Sequence, residues 1–429
     1  NYEINVPTRV LPEKEGFRSC TVKLLEHTFV NSYGHPYIGK YSPSLLDDPV
    51  CKDPTEWQFI ELTVEGSVSG RQFDRLGSIQ LDGIEVLRTD NPEPSTNITQ
   101  WKFSKEMNRY YDVFRKDRNL VFDFPNIVND VYTGSLAMTV SFTAYVADIP
   151  SPRRKLSEAS AIVLPLSKQN QTDNSFFALG GDGTTPADDG ITKLRFPPNA
   201  RSALVEIYAS GTATDEFWYS NIPDKIYNQV GGDAASLFYP RGPYREIQVL
   251  IDGRLAGFAM PFPVVFTGGI NPLLWRPSVA FGAFDQPTYL VDITPFLGQL
   301  TDDAEHEIQL KVVSAEESQE IDASWFVSGN VQVFLDKSDT RTTGRITSYN
   351  APTAGNFSTA GYVKGNVSED GTLRAEVRLD SPRRLSIEAE LKTGSSEEDI
   401  AVSWSQSADF YSITTQQGPS STTDQEAKG

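Results

Sequence analysis

Short runs of alternating apolar and polar residues recur along this chain and constrain its fold more than any other feature. Examples are FIELTVEGSV at 59–68, SALVEIYAS at 202–210 and HEIQLKVVSA at 306–315, each set between Gly, Pro, Asn or Asp turns. Because strand side chains alternate between two faces, these runs predict an all-β protein of sandwiches or barrels. Few helices are expected. The segment KDRNLVFDFPNIVNDVY at 116–132 is interrupted by Pro125, which predicts a short helix or a loop.

An internal repeat predicts that one β-sandwich is used twice. The stretch DRLGSIQLDG at 74–83 matches YREIQVLIDG at 244–253, with an Arg and an Asp-Gly pair at the same spacing. Asp-Gly is a strong hairpin signal because Gly adopts positive φ at little steric cost. Asp82 and Asp252 are therefore predicted to be turn residues. Asp74 has no acidic counterpart, since Tyr occupies the equivalent position in the second copy.

Breaks in this pattern predict the domain boundaries. We expect a first β-sandwich domain at 1–150, a linker and polar loop at 151–195, and a second sandwich at 196–338. A β-rich region at 339–429 follows, richer in Ser and Thr and ending in a polar tail. Because this last region looks incomplete alone, we expect a second polypeptide to supply its missing strands.

Charge and hydropathy narrow the class of partner. The net charge of −19 comes from dispersed acids and argues against nucleic acid or an anionic membrane as partner. The longest apolar runs are too short to span a bilayer. The chain opens at Asn1 without an initiator Met or signal-like segment, so we expect a leader to have been removed.

Two further features predict a secreted, secretory-pathway or vacuolar protein. Cys20 and Cys51, the only two cysteines, are predicted to form one disulfide in an oxidising compartment. Candidate N-glycosylation sequons, each in a polar, turn-rich setting, begin at Asn97, Asn170, Asn356 and Asn366.

Metal and cofactor motifs are weak in this sequence. Two cysteines and three scattered histidines give no HExxH or CxxC spacing, so no Cys/His metal site and no cofactor are expected. The loop GGDGTTPADDG at 180–190 places Asp182, Asp188 and Asp189 among glycines. Such oxygen ligands suit Ca²⁺, and a solvated turn is the favoured interpretation.

Three stretches carry candidate chemistry. Asp74 and Arg75 stand at the start of a predicted strand, where Arg75 alone is equally well explained by pairing with a neighbouring carboxylate. The stretch DEFWYSN at 215–221 combines two acids with three aromatics, and if it is extended its Trp and Tyr face opposite sides. The stretch FTGGINPLLWRP at 266–277 is predicted to be a shaped loop that suits a binding cleft. Core packing would explain the aromatics and leucines of both stretches as well.

Other catalytic signatures are missing from the sequence. It has no GxSxG elbow, no Walker A loop and no GxGxxG fingerprint. A disulfide between the cysteines would also remove a cysteine nucleophile. The catalytic chemistry that remains for this sequence is one that uses carboxylates assisted by arginines.

Several motifs together resemble the plant and fungal acidic peptide:N-glycanases, the PNGase A family of glycoamidases. They are SYGHPYIGKYSPSLLDDPVC at 32–51, GRQFDR at 70–75, LDGIEVLRTDNPEP at 81–94, DEFWYSN at 215–221 and TGGINPLLWRP at 267–277. The resemblance runs in order over roughly residues 20–335. It implies hydrolysis of the amide between an Asn side chain and the innermost N-acetylglucosamine of an N-glycan, without metal or cofactor. A bacterial glycoamidase of similar activity consists of two jelly rolls, so the resemblance implies two tandem jelly-roll β-sandwich domains packed side by side.

The resemblance also implies roles for individual residues. Asp74 corresponds to an essential acid, Glu216 to a second functional carboxylate, and Arg276 to an arginine in a Trp-containing loop. Arg75, Asp215, Trp218, Tyr219 and Trp275 are the expected substrate-binding residues, with the two tryptophans as sugar platforms. The chain departs from the bacterial pattern at SFTAYVADIP, which offers Ala144 or Tyr145 where a further Glu is expected.

Two other readings remain open. A secreted carbohydrate-binding β-sandwich without catalysis would also need aromatics and acids, and a purely structural secreted β protein would need neither. The expected partners are an N-glycopeptide or glycoprotein substrate and a second, light chain from the same precursor.

Overall fold

The computed structural model describes residues 1–3, 16–93, 98–147, 155–158, 161–180, 187–275, 278–418 and 420–429. Strands dominate these ranges and the helices are short, which confirms the all-β class. The chain forms two compact units. Unit 1 comprises Asn1–Ser175 and Val264–Pro287, and unit 2 comprises Phe176–Pro263 and Thr288–Gly429. No described helix reaches the length and apolarity that crossing a membrane requires.

Unit 1 is built mainly from two antiparallel sheets. Its described strands are β1 (Tyr2–Glu3), β2 (Phe17–Phe29), β3 (Tyr37–Tyr41), β4 (Trp57–Ser69), β5 (Leu76–Leu81), β6 (Ile84–Asp90), β7 (Thr99–Glu106), β8 (Arg118–Asp123), β9 (Ser135–Ala147), β10 (Ile162–Leu166) and β16 (Ser278–Val279). Its described helices are α1 (Tyr111–Phe114) and the 3₁₀ turns Pro43–Leu45, Pro54–Glu56, Asn108–Tyr110, Leu156–Glu158 and Pro272–Leu274. The sheet orders are β2-β9-β4-β7 and β3-β8-β5-β6, and β1 pairs in parallel with β16.

One apolar core joins the two sheets of unit 1. Phe29 and Val64 from one sheet and Val86 and Phe122 from the other are fully buried in the same cluster. The rings of Phe29 and Phe122 meet edge to face with centroids 5.2 Å apart. Each such side chain stabilises the fold by roughly 1.5–3 kcal/mol when buried.

The predicted disulfide between Cys20 and Cys51 is present, with the two Cα atoms 6.3 Å apart. It ties β2 to the segment that precedes β4, and Cys51 is fully buried. The pairing of the two cysteines is therefore confirmed.

The expected short helix or loop at 116–132 was wrong in its first part. Residues Arg118–Asp123 form β8, which pairs with β3 on one side and β5 on the other. Leu120, Val121 and Phe122 favour an extended chain between two partners, and Pro125 falls after the strand has ended.

Unit 2 contains three groups of strands. Its described strands are β11 (Phe177–Leu179), β12 (Ile191–Leu194), β13 (Ala200–Gly211), β14 (Glu246–Ile251), β15 (Arg254–Ala259), β17 (Tyr289–Asp292), β18 (His306–Val313), β19 (Trp325–Leu335), β20 (Thr343–Asn350), β21 (Phe357–Lys364), β22 (Thr372–Leu379), β23 (Arg383–Lys392), β24 (Ile400–Gln417) and β25 (Ser420–Lys428). Its described helices are α2 (Asp224–Tyr227), α3 (Leu297–Leu300) and the 3₁₀ turns Ala213–Asp215, Trp218–Ser220, Gly232–Leu237 and Thr294–Phe296.

The strands of unit 2 pair within each group. One sheet contains β11-β19-β13-β17, a second β12-β18-β14-β15, and a third β20-β23-β24-β22-β21 with β25 on β24. The third group packs within unit 2. The ring of Tyr244 lies 5.0 Å from that of Phe410, and Arg383 forms a buried ion pair with Glu246. Residues 343–428 thus share an apolar contact with Tyr244, just before β14, and a buried charge pair with Glu246, the first residue of β14.

The repeat that the sequence predicts appears as two matched hairpins. Asp82 between β5 and β6, and Asp252 between β14 and β15, both have a φ of 48° and precede a glycine with a φ of 77°. The Oδ1 atom of Asp82 accepts a 3.0 Å hydrogen bond from Asn119 N, and that of Asp252 accepts one of 3.0 Å from Glu307 N. Both aspartates are therefore turn residues, as predicted, that also secure the neighbouring strand.

Candidate active site

Asp74 lies in a short extended segment that leads into β5 of unit 1. Its side chain is half-buried. The neighbouring Gln72 is 2% exposed, and its Oε1 accepts hydrogen bonds from Phe73 N at 3.0 Å and Arg75 Nη2 at 2.8 Å. The Gln72 Nε2 donates to backbone carbonyls at 2.9 and 3.1 Å. A buried amide with all its bonds satisfied therefore fixes the residues on both sides of Asp74.

Arg75 and its repeat counterpart Arg245 occupy different environments. Arg75 is half-buried and donates from Nη1 to the hydroxyl of Tyr33 at 3.1 Å, with its guanidinium 5.9 Å from that ring. Its buried Nε has no hydrogen-bond partner in the described part of the chain. Arg245 is 1% exposed and forms an ion pair with Asp215. The repeated arginine is thus a core residue in unit 2 and a partly accessible one in unit 1.

The stretch DEFWYSN in unit 2 is not extended. It folds as two consecutive 3₁₀ turns, Ala213–Asp215 and Trp218–Ser220, so the alternation expected for an extended segment does not apply. Ala213 has a positive φ of 54°, which turns the chain sharply after β13. The side chains of this stretch therefore do not alternate between two opposite faces as they would in a strand.

Asp215 is fully buried. Its Oδ2 accepts hydrogen bonds from Trp325 Nε1 at 3.0 Å and Ala323 N at 3.3 Å, and its Oδ1 accepts from Asn221 Nδ2 at 3.2 Å and from Arg245. These internal partners favour a positioning role for Asp215 over the substrate contact that the sequence suggests.

Glu216 differs from its neighbour because it is only half-buried. Burial raises its pKa above the ordinary value for a glutamate. Burial, followed by the negative charge of Glu216, also raises the pKa of Tyr219. The Tyr219 hydroxyl is buried without a hydrogen-bond partner among the described residues. Glu216 is therefore a partly accessible carboxyl that keeps its proton to higher pH than an ordinary glutamate, whereas the Tyr219 hydroxyl stays protonated.

Trp218 and Trp275, the two expected sugar platforms, are unequally accessible. Trp218 is 6% exposed and packs against Trp325 with ring centroids 6.0 Å apart, which favours a core role. Trp275 is half-buried, and its Nε1 donates to Gly269 O at 2.8 Å. Of the two tryptophans, Trp275 is therefore the more exposed.

The loop that carries Trp275 is joined to the Asp74 segment within unit 1. The Thr267 hydroxyl donates to Asn91 O at 2.6 Å and accepts from Glu93 N at 2.8 Å. Asn91 Nδ2 in turn lies 3.5 Å from Phe73 O. Gly268 has a φ of +85°, which favours glycine, and a Cβ there would force the Glu93 side chain to move. Arg276, the third expected catalytic residue, lies outside the described residues.

Sequence reasoning missed the residues that hold these parts together. Gln72, Asn91 and Thr267 are all at most 2% exposed, and Tyr33 contacts Arg75. All four fall within the motifs quoted above, but they are neutral, so their residue types did not single them out as the members that hold these segments in place. At the position of the absent third Glu, Ala144 is fully buried.

The sequence also predicts glycosylation sites and a possible Ca²⁺ loop, most of which lie in the described part of the chain. Asn170, Asn356 and Asn366 are exposed, whereas Asn97 lies outside the described residues. Asp182 also lies outside them, and Asp188 and Asp189 accept hydrogen bonds from backbone N–H groups of Ala178 and Ile191. Within the described ranges, the single cluster with metal-ligand spacing is Cys20, Asp48 and Cys51. Its thiols are consumed by the disulfide, so it does not suit a metal.

Comparisons with known proteins identify relatives of the chain. The sequence profile of Peptide N-acetyl-beta-D-glucosaminyl asparaginase amidase A matches residues 7–352. Peptide-N4-(N-acetyl-beta-glucosaminyl)asparagine amidase A of Prunus dulcis is 32% identical over 363 residues, covering 82% of this chain and 59% of the relative. The chain thus spans less than two thirds of that relative's length.

Two solved structures are also similar. A peptide-N(4)-(N-acetyl-beta-D-glucosaminyl) asparagine amidase matches with a TM-score of 0.44 and 12% identity, covering 74% of this chain and 96% of that one. PNGF-II matches with a TM-score of 0.45 and 12% identity, covering 76% and 66%.

Proposed function

Because the chain belongs to the Peptide N-acetyl-beta-D-glucosaminyl asparaginase amidase A family, we propose that it is a glycoamidase acting on N-glycopeptides or glycoproteins. It hydrolyses the amide between the Asn side chain and the innermost N-acetylglucosamine. The products are Asp in the peptide and a glycosylamine. The family match over residues 7–352 is the observation that carries this proposal.

Amide hydrolysis needs an activated water, a stabilised oxyanion and a proton for the leaving nitrogen. In the proposed mechanism ionised Asp74 orients the water and removes its proton. Its half-buried position beside the fixed Gln72 amide supports this role. Arg75, with a buried Nε that lacks a partner among the described residues, or Arg276 offsets the charge on the carbonyl oxygen.

Glu216 is proposed to hydrogen-bond the sugar or to protonate the leaving nitrogen. Its raised pKa supports the second role, because a carboxyl that keeps its proton to higher pH is a better proton donor in mildly acidic solution. Asp215 is proposed to act indirectly by holding the turn that carries Glu216. Tyr219 and Trp275 are the proposed sugar contacts. Trp218 instead packs against Trp325 and holds the turn in place.

Mass spectrometry of a digested glycopeptide tests the activity directly. A glycoamidase removes the glycan and converts the Asn to Asp. The peptide then differs in mass from its unglycosylated Asn form by the replacement of NH with O. The alternative, a secreted carbohydrate-binding sandwich, would leave the glycopeptide unchanged, and that result with wild-type protein would refute the proposal.

Asp74→Asn tests the assignment of the catalytic acid. Loss of a general base typically slows a reaction by about 10²–10⁴-fold, and we expect glycan release to fall within that range. Asp130→Asn is the matched control, because it removes a carboxylate from an exposed position of the same unit. Near-normal release by Asp74→Asn would show that another group activates the water.

The remaining proposals concern architecture and context. We expect the paired four-stranded sheets to follow jelly-roll connections, and a second, light chain from the same precursor to complete the C-terminal region. A denaturing gel of the natural protein that shows a single polypeptide would contradict the second chain. The disulfide and three exposed sequons support a secretory or vacuolar location.

A further inference from the structure

Three large apolar side chains are exposed close together on the loop that carries Trp275. Ile270 is 73% exposed, Leu273 is 79% exposed and Leu274 is 62% exposed. Single exposed apolar residues are ordinary on protein surfaces, whereas a group of them marks an interaction site. Ile270, Leu273 and Leu274 therefore form an apolar surface, called the apolar tip, that the described part of the chain leaves exposed.

The apolar tip is held in one shape by the loop's own bonds. Trp275 Nε1 donates to Gly269 O at 2.8 Å, and Leu274 N donates to Asn271 O at 3.0 Å. Ile270 has a φ of +62°, a left-handed conformation that is costly for a β-branched residue. Backbone strain of this kind recurs at ligand-binding sites, where the surrounding structure maintains it. The leucines are thus presented to solvent in a fixed arrangement.

The apolar tip is also continuous with the segment of the proposed catalytic acid. The Thr267 hydroxyl bonds Asn91 O at 2.6 Å, and Asn91 Nδ2 lies 3.5 Å from Phe73 O, the residue before Asp74. Thr267 N also donates to a carboxylate oxygen of Asp90 at 3.1 Å. The loop that carries the apolar tip is therefore connected through Thr267 and Asn91 to the backbone next to Asp74.

The aliphatic side chains of the apolar tip suit the peptide part of a glycopeptide better than its sugar part. Sugar rings carry hydroxyl groups that need hydrogen-bond partners, and they are gripped by aromatic faces. The side chains of Ile270, Leu273 and Leu274 offer neither. Aliphatic side chains of a polypeptide lose no hydrogen bonds when they pack on such a surface.

We propose that the apolar tip binds the polypeptide part of the substrate and gives a preference for apolar residues beside the glycosylated Asn. This inference rests on the proposed glycoamidase function. It adds a peptide-recognition element to a site whose other proposed contacts are with sugar.

The test compares two glycopeptides that carry the same glycan. One has Leu and Val flanking the Asn, and the other has Ser and Gly. Wild-type kcat/KM is expected to be about tenfold higher for the apolar peptide, the effect of burying part of one aliphatic side chain. The double variant Leu273→Ser/Leu274→Ser is expected to lose this preference and to keep its activity on the polar peptide. Both positions are exposed, so the variant should fold normally.

Ile98→Ser is the matched control, because Ile98 is 67% exposed in unit 1 and lies outside the loop. It should retain the preference. Equal kcat/KM on both peptides, or a preference that the double variant keeps, would overturn the peptide contact while leaving the activity intact. No release from either peptide would overturn the proposed function and this inference with it. A wild-type dimer that the double variant converts to monomer, with unchanged preference, would assign the tip to a second copy of the chain.

Discussion

The buried carboxylate of Asp123 leads to a stability prediction whose size follows from the structure. Asp123 ends β8 and is 6% exposed, and its Oδ2 accepts a 3.2 Å hydrogen bond from Asn174 Nδ2. The pKa of Asp123 is raised from 3.8 to about 7, mainly by burial; the hydrogen bond from Asn174 opposes this increase, and the negative charges of Asp173 and Glu85 add to it. The folded protein therefore favours the neutral acid at this position.

The sign of the pH effect follows from the order of the two pKa values. Between pH 3.8 and about pH 7 the folded protein keeps a proton that the unfolded chain has released. The free energy of unfolding therefore falls as pH rises through this window, by about 1.4 kcal/mol per pH unit. The accumulated loss is about 4 kcal/mol above the folded-state pKa. Asp123→Asn resembles the neutral acid and cannot ionise, so the variant should lack this loss.

Urea unfolding of both proteins at a series of pH values measures the difference. Wild type and variant should have similar stability at about pH 4, and the variant should be more stable by about 4 kcal/mol at about pH 8. Other titrating groups cancel because both proteins contain them. Asp130→Asn, at an exposed position, should run parallel to wild type. Parallel curves for Asp123→Asn would refute the reasoning, because they would mean that Asp123 ionises equally easily in both states.

Three further predictions follow from single contacts. Arg383→Met leaves Glu246 buried without its ion-pair partner and should lower the free energy of unfolding by about 3–5 kcal/mol, and Glu246→Gln added to it should restore part of the loss in urea titrations. Thr267→Val, which cannot make either hydroxyl bond, should lower kcat/KM for glycopeptides about tenfold, and Thr267→Ser should restore it. A Cys20→Ser/Cys51→Ser variant opens a loop with a sequence separation of 31 and should lose about 3–4 kcal/mol of stability; a melting temperature unchanged from wild type would contradict this.

The strands and hairpins could be predicted from the sequence because local rules determine them. Alternating runs at 59–68 and 202–210 became β4 and β13, and each Asp-Gly pair became a two-residue turn. Period-two patterning and positive φ at glycine are properties of a few consecutive residues. The prediction for 116–132 failed because local rules do not determine its structure. Its strand is specified by its position between β3 and β5, which are distant in sequence.

The candidate site was less predictable because environment, and not residue type, separates its members. Asp215 and Glu216 are adjacent acids, yet one accepts internal hydrogen bonds from Trp325 and Arg245 while the other is half-buried with a raised pKa. Arg245 and Trp325, two of the partners that bury Asp215, lie 30 and 110 positions away in sequence. A window of neighbouring residues contains no information about them.

The two repeat copies show how a site can arise on a duplicated scaffold. Both place an Arg at the start of a hairpin strand. In unit 2 a buried Asp neutralises that Arg245, so the position serves the core. In unit 1 the partners of Arg75 among the described residues are the neutral Gln72 and Tyr33, so these bonds do not cancel its positive charge. This difference between the two copies supports the proposal that the copy carrying Asp74 is the catalytic one.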